Sequence, residues 1–325
     1  VYSSDINGKI MPLQIGDPVA SIGFGIDPNE SYWAAESTEL AFFPNCYNMA
    51  ITGYENALWK TEDGCRSFSE WATFGTNIND EITYIEIARS NPDVIYVCQQ
   101  VDNPNSGKLW KTVDGGQTWQ SLSLPVMFGS SKKMLLQVDP ADEDRLWMAF
   151  SNASNGFKVF HSSNGGQSWS NLTSTELDNQ NIHSLVYIPN TGGDLYAFTN
   201  YDVWYTNDGI SNWLDYSAGL PIEINSNIAR PFYRDGTIRL ASYGRGLWES
   251  KLKNIPSSPV ATIGVDKLST TIHCVQDTFY FVDQSIIAHS GASWSWQFPG
   301  GIPSTDTTLY PVVTYLTSGS YTVYL

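Results

Sequence analysis

Seven carboxylates, Glu86, Asp93, Asp139, Asp142, Glu143, Asp144 and Asp235, lie in or beside short apolar runs, where glycosidic hydrolysis would need them. That chemistry requires two carboxyl groups at a set separation, one to protonate the leaving oxygen and one to attack or to activate water. Sequence alone pairs none of the seven, and Asp142-Glu-Asp144 reads as a solvated turn. The histidines, His161, His183, His273 and His289, have no metal-ligand spacing. No serine lies in a G-x-S-x-G elbow. Arg245, between Gly244 and Gly246, is a charge in a tight apolar setting and reads as an anchor of the last repeat. Tyr201, Tyr205, Tyr216 and Trp71 offer ring faces of the kind that stack on sugars. On these residues no catalytic group and no metal ligand is assigned.

Composition narrows the choices. The formal charge of −16 leaves few Lys and Arg to cluster on phosphate, which excludes nucleic acid as the expected partner. The same deficit argues against anionic membrane surfaces, and no apolar run is long enough for direct membrane insertion as a helix. The acidity is compatible with Ca²⁺, and no other cofactor is implied. Cys46, Cys65, Cys98 and Cys274 form no C-x-x-C pair; the Cys46–Cys65 spacing fits a disulfide, and Cys98 reads as a buried thiol. With Val1 first and apolar patterning running to both ends, the chain reads as a piece of a longer protein.

The elements that must position these groups come from a repeat. Four segments align: Leu58-Trp-Lys-Thr-Glu-Asp-Gly-Cys-Arg-Ser-Phe68, Leu109-Trp-Lys-Thr-Val-Asp-Gly-Gly-Gln-Thr-Trp119, Val159-Phe-His-Ser-Ser-Asn-Gly-Gly-Gln-Ser-Trp169 and Val203-Trp-Tyr-Thr-Asn-Asp-Gly-Ile-Ser-Asn-Trp213. They recur about every 45–50 residues, the length of a four-stranded propeller blade. A strand runs into a hydroxyl residue and then Asp or Asn, whose side chains fix a tight turn, with glycine supplying positive φ. The closing Trp or Phe folds over that turn. Two apolar runs precede each copy: Ala20–Ile26 and Tyr32–Ala35, Ile82–Ala88 and Val94–Cys98, Met134–Val138 and Leu146–Phe150, Ile182–Ile188 and Leu195–Phe198. A last unit, Ile228–Tyr233, Thr237–Ser242 and Gly246–Lys251, has no copy after it.

The repeat resembles the Asp box, or BNR repeat, Ser/Thr-x-Asp-x-Gly-x-Thr-Trp. Thr112, Asp114, Gly116 and Trp119 match it fully; Ser162, Asn164, Gly166 and Trp169 match with two conservative changes. Thr61, Asp63 and Phe68 carry a copy with Cys65 at the second glycine, and Thr206, Asp208 and Trp213 one with Ile210 there. Ser3–Ile10 resembles a worn fifth copy. The resemblance implies a sortilin- or sialidase-like β-propeller in which these residues are structural. About five blades are visible, and such rings more often hold six or more, so the chain is expected to be an incomplete part of a larger ring. The Arg-Ile-Pro entry of sialidases is absent; Ala229-Arg-Pro231 is a weak echo.

The repeat stops at 253. Residues 254–259 form a Pro/Ser linker, and 260–325 read as a separate β-sandwich with few contacts to the ring, its apolar residues alternating as Phe279/Phe281, Trp294/Trp296/Phe298 and Tyr321/Val323/Leu325. Asp283-Gln-Ser285, Trp294-Ser-Trp-Gln-Phe-Pro-Gly-Gly301, Pro311-Val-Val-Thr-Tyr315 and Ser318-Gly-Ser-Tyr-Thr-Val323 resemble the Ig-like PKD domain of secreted Bacteroidetes proteins, which use type IX secretion. The expected fold class is therefore all-β, a multi-bladed propeller followed by a sandwich. Asn152 and Asn171 fit N-glycosylation acceptors, and Thr307 fits an O-glycosylation motif of that group. The expected function is a secreted or cell-surface, non-catalytic protein binding a glycan or a protein, for adhesion or as a scaffold. The alternative is a secreted propeller-type glycoside hydrolase with the PKD module as accessory domain.

Overall fold

The computed structural model describes residues 40–101, 106–125, 134–267, 273–274 and 276–325, with backbone strands at 2–5, 9–12 and 20–21. Those three, β1 (Tyr2–Asp5), β2 (Lys9–Pro12) and β3 (Ala20–Ser21), make a small antiparallel sheet. Most of the worn copy at Ser3–Ile10 has backbone pairing only, and Tyr32–Ala35 lies outside the described residues.

The described remainder is a β-propeller with a β-module at its end. Blade 1 is β4 (Ala41–Phe43), β5 (Cys46–Tyr54), β6 (Ala57–Thr61) and β7 (Ser69–Thr73). Blade 2 is β8 (Ile82–Ile87), β9 (Ile95–Val101), β10 (Ser106–Thr112) and β11 (Gln120–Leu122). Blade 3 is β12 (Met134–Asp139), β13 (Asp142–Phe150), β14 (Val159–Ser162) and β15 (Ser170–Asn171). Blade 4 is β16 (Ile182–Tyr187), β17 (Leu195–Thr199), β18 (Val203–Thr206) and β19 (Leu214–Asp215). Blade 5 has three strands, β20 (Ser226–Phe232), β21 (Thr237–Ser242) and β22 (Gly246–Lys251). Every pairing within a blade is antiparallel, and each blade's first strand touches the first strand of the next, so these strands line the ring's interior.

One sequence expectation is corrected. The inner pair of blade 1 is 41–43 and 46–54, turning at Pro44-Asn45, and not Ala20–Ile26 with Tyr32–Ala35. Strand β5 is buried almost continuously from Met49 to Tyr54, so it lacks the alternation that marks a strand with one wet face.

Antiparallel alternation sorts the connections. The hairpins between first and second strands and those between third and fourth strands lie at one end of the ring. The second-to-third turns and the blade-to-blade loops lie at the other. The repeated turns occupy the third-to-fourth hairpins of blades 1–4. Each donates to its own blade's first hairpin region: Gly64 N–H to the Asn48 carbonyl, Gly115 to Asp93, Gly165 to Asp144 and Asp208 to Gly192, at 2.8–3.0 Å.

Cores form between blades. Tyr96, Cys98 and Leu109 of blade 2 pack with Leu136, Met148 and Phe160 of blade 3. Trp147 and Ala149 of blade 3 pack with Leu185, Leu195 and Trp213 of blade 4. Stability is therefore shared along the ring rather than stored in single blades.

The C-terminal module has β23 (Ile263–Val265), β24 (Thr278–Asp283), β25 (Trp296–Gln297), β26 (Gly301–Ile302), β27 (Thr305–Asp306) and β28 (Val312–Tyr315). Its core is Phe281, Trp296, Phe298, Val313 and Tyr315, against which Phe279, Trp294, Tyr321, Val323 and Leu325 pack. The alternation read in the sequence thus maps onto one core. The module is not loosely tethered: β23 runs parallel to β5 of blade 1, pairing Val265 with Cys46. The linker is held as well, since Ser257 N–H donates to the Asn190 carbonyl and the Asn190 amide to the Ser258 carbonyl, both at 3.0 Å.

Candidate functional site

The repeated turns are built from their side chains. Thr112 Oγ1 donates to Asp114 Oδ1 (2.7 Å) and accepts Gly116 N–H (3.0 Å), while Asp114 accepts both the N–H (2.9 Å) and the hydroxyl (2.6 Å) of Thr118. Thr61 with Asp63 and Ser162 with Asn164 repeat the pattern; Asn164 reverses one bond by donating to Ser168 Oγ. The Thr118 hydroxyl and N–H and the Thr112 hydroxyl hold the Asp114 carboxyl at about 2. At the second glycine position φ is +87° in Gly116 and +82° in Gly166.

The fourth copy departs from the pattern. Asp208 leaves its turn and pairs with Arg145 of blade 3 at 3.2 Å. Ile210 stands at the second glycine position, and a β-branched residue resists positive φ. The turn closes one residue earlier, with Asn207 Oδ1 accepting Gly209 N–H at 2.9 Å. Asp208 is therefore an inter-blade group and not a turn-builder.

The closing indoles also do more than cover their own turns. Trp169 Nε1 donates to the Ser123 carbonyl of blade 2, and Trp213 Nε1 to the Leu172 carbonyl of blade 3. Trp119 meets Trp71 and Phe74 of blade 1 edge-on. Phe68 packs on Ala50 and Cys65 within blade 1. That cluster explains the thiols: Cys65 faces Ala50, Cys46 lies in the separate cluster of Met49 and Ile51, and neither is bridged. Burial pushes the Cys65 thiol up to about 11 and the fully buried Cys98 thiol higher still.

Six of the seven candidate carboxylates lie in hairpins at the box end, and the partnered ones serve structure. Glu143 accepts the Ser90 hydroxyl at 2.6 Å, and Asp144 pairs with Lys111 at 2.8 Å, both joining blade 2 to blade 3. Asp142 caps Asp144 N–H, and Asp235 pairs with Arg234 and Arg239. Asp93 is exposed in its hairpin, and Glu86 is half-buried on the inner strand β8. Asp139 is buried and accepts Tyr187 Oη (2.9 Å), Ala141 N–H (3.0 Å) and Arg145 Nη1 (3.4 Å). Arg145 also lies over Trp147 and Tyr187, whose rings stack at 3.9 Å. Among the described residues, no group of three or more His, Cys, Asp or Glu is placed to hold a metal ion.

His161 packs beside Trp147, its Nε2 buried without a hydrogen-bond partner. Burial holds its proton affinity below the ordinary histidine range, the Arg145 charge adds to this, and Asp208 opposes. A base whose folded pKa is depressed favours the folded state above its unfolded pKa of about 6.5, and that contribution is lost as pH falls through the folded pKa. The urea midpoint is thus expected to drop between pH 7.5 and 5 more steeply in the native chain than in His161→Phe. The excess slope is at most about 1.4 kcal/mol per pH unit, and superimposable profiles would refute the assignment.

The opposite end of the ring is different in character. There the turn after β17, the loop from blade 4 to blade 5 and the turn after β21 are chained by backbone. Asn181 receives Asn200 N–H (3.2 Å), Asn200 receives Asn225 N–H (2.9 Å) and Asn225 receives Tyr243 N–H (2.9 Å). The Thr199 hydroxyl fixes the first turn by accepting the N–H groups of Tyr201 (3.2 Å) and Asp202 (2.9 Å). These linked loops and the start of β22 carry large exposed side chains: Tyr201 is 43% exposed, Ile222 88%, Tyr243 81% and Leu247 70%. Arg245 is exposed beside them, its carbonyl receiving Trp248 Nε1 at 2.9 Å, and so is not a buried anchor. Of the aromatics singled out for stacking, Tyr201 is on this face. Tyr205 is buried against Asp194, Tyr216 is half-buried with its hydroxyl on the Lys251 carbonyl, and Trp71 is wedged against Trp119. Tyr243 and Ile222 were missed because single apolar residues beside Gly or Pro carry no periodic signal. Asn152, Asn171 and Thr307 are exposed, though the Asn171 amide already donates to the Gly156 carbonyl at 2.7 Å.

No family model matches the chain, and no curated protein matches it in sequence. Solved structures do share its fold. An ancestral GH74 enzyme aligns with a TM-score of 0.57 at 15% identity, over 86% of this chain and 34% of that one. The extracellular domain of BT4673 from B. thetaiotaomicron aligns at 0.52 and 15%, over 86% and 35%. YCF48 from Cyanidioschyzon merolae aligns at 0.51 and 14%, over 77% and 80%. The chain thus spans about a third of the GH74 enzyme and of the BT4673 domain, and what it shares with all three is the β-propeller fold.

Proposed function

We propose that this protein is an extracellular, non-catalytic binding scaffold that recognises a glycan on the ring end away from the boxes. The observation that carries the reading is the exposure of Tyr201, Ile222 and Tyr243 on neighbouring loops whose backbones are hydrogen-bonded to one another. Phenol rings fixed on rigid turns bind sugar faces at low cost in side-chain entropy. Asn225 and Arg245 add exposed polar groups beside them, suited to sugar hydroxyls. Placement outside the cell, with export by type IX secretion, rests on the PKD-like signature and on the exposed acceptors at Asn152, Asn171 and Thr307.

The second reading, a polysaccharide-active enzyme, draws on the fold shared with GH74 enzymes. It is weakened by the carboxylates of the box end, most of which are engaged in turns and inter-blade ion pairs. The test is affinity electrophoresis of the full chain against a panel of plant, algal and host polysaccharides, followed by product analysis. Retardation by one glycan class is expected, with Tyr201→Ala and Tyr243→Ala each weakening affinity about tenfold (~1.4 kcal/mol). Released oligosaccharides would establish the enzyme reading. Binding that survives the double variant would remove this face from the function, and retention of a protein but no glycan would make the ligand a polypeptide.

A further inference from the structure

We propose that the C-terminal module is a clasp that fastens the first and last described blades of the ring across the box end of its channel. Its contacts reach three blades, and a fourth holds the linker that leads to it. On blade 1, Val265 N–H donates to the Asn45 carbonyl at 3.2 Å and the Asn48 amide to the Asp266 carbonyl at 2.9 Å. On blade 2, Arg89 Nη1 donates to the Gln284 carbonyl at 2.8 Å. On blade 5, the Arg234 carbonyl receives His289 N–H at 3.2 Å. Blade 4 holds the approach: Asn190 binds 257–258, and Asn254 Nδ2 donates to the buried Asp194 at 3.0 Å.

These partners lie in the first-to-second strand hairpins or, for Asn48, at the start of the strand that follows one, around one mouth of the channel. Among the described residues blade 5 has three strands, without the outer fourth strand that blades 1–4 carry. Blade 1, in contrast, is extended through β5 into β23, β24, β28 and β26, one sheet running from ring to module. The module thus ties the three-stranded blade to the one whose sheet it continues. A tethered spacer would need none of these bonds.

The test is hydrogen–deuterium exchange on the full chain and on two variants. Arg89→Ala removes a ring-to-module bond without touching the module's core. Val265→Pro deletes the donor to Asn45 and breaks the junction of β23 with β5. In both, amides of 46–54 in blade 1 and 226–242 in blade 5 are expected to exchange at least about tenfold faster, while 134–150 in blade 3 stays unchanged. If Val265→Pro unfolds the module, the same loosening at both blades is still expected. Faster exchange confined to the module in both variants would overturn the clasp. So would a chain nicked between Ser257 and Ser258 whose module separates on gel filtration and leaves the ring's exchange pattern unaltered.

Discussion

Replacing Arg145 with leucine is expected to lower the unfolding free energy by about 3–5 kcal/mol, the usual cost of stranding a buried charge. The guanidinium is the cationic partner of the buried Asp139 carboxylate and reaches Asp208 of blade 4 with its other nitrogen. Leucine keeps some contact with Trp147 and Tyr187 but leaves Asp139 with only Tyr187 Oη and Ala141 N–H. Asp208→Asn should cost far less, about 0.5 kcal/mol, because that side chain is mostly in water. Tyr187→Phe falls between them at about 2 kcal/mol, having removed the hydrogen bond donated to Asp139 and the one accepted from Arg145. Urea unfolding of the three variants measures this order. An Arg145→Leu variant no weaker than Asp208→Asn would show that the blade 3–4 seam does not depend on the ion pair.

Gly116→Ala is expected to cost about 2–4 kcal/mol for two separable reasons. Its φ of +87° strains any residue with a Cβ, by about 1–2 kcal/mol. A Cβ there would also stand 2.2 Å from the Trp71 ring of blade 1, which is pinned by Trp119 and cannot retreat freely. Gly156→Ala is the control: φ is +79° and nothing lies within 4 Å of the added carbon, so only the backbone cost applies. Unfolding midpoints of the two variants should differ by the packing contribution. Equal losses would mean that the inter-blade contact at Trp71 is slack.

The sequence carried the blades because their turns are local chemistry. A hydroxyl two residues before a carboxylate specifies its own hydrogen bonds, so Thr112 and Asp114 were legible without knowledge of the ring. The module's core was legible for the same kind of reason, since alternation placed Trp294, Trp296 and Phe298 on one face. What stayed hidden depends on distant partners. Asp208 looks like a box residue until Arg145, far away in the chain, is brought beside it. Strand β5 does not alternate because it is buried on both faces. Its pairing with β23 is a single parallel register that no local pattern announces. The candidate face was half legible: Tyr201 stood out, whereas Tyr243 and Ile222 gain meaning only once Asn200 and Asn225 join their loops.

The box indoles all point the same way along the chain. Trp119 leans on blade 1, Trp169 bonds blade 2 and Trp213 bonds blade 3, each touching the blade made before its own. Translation delivers the blades in that order. A nascent chain therefore brings, with every new box, the group that seals the seam behind it, and no finished seam waits for sequence still inside the ribosome. At each of these steps only the two free flanks of the growing row, on blade 1 and on the newest blade, face solvent, and the surface open to aggregation does not grow with the number of blades added.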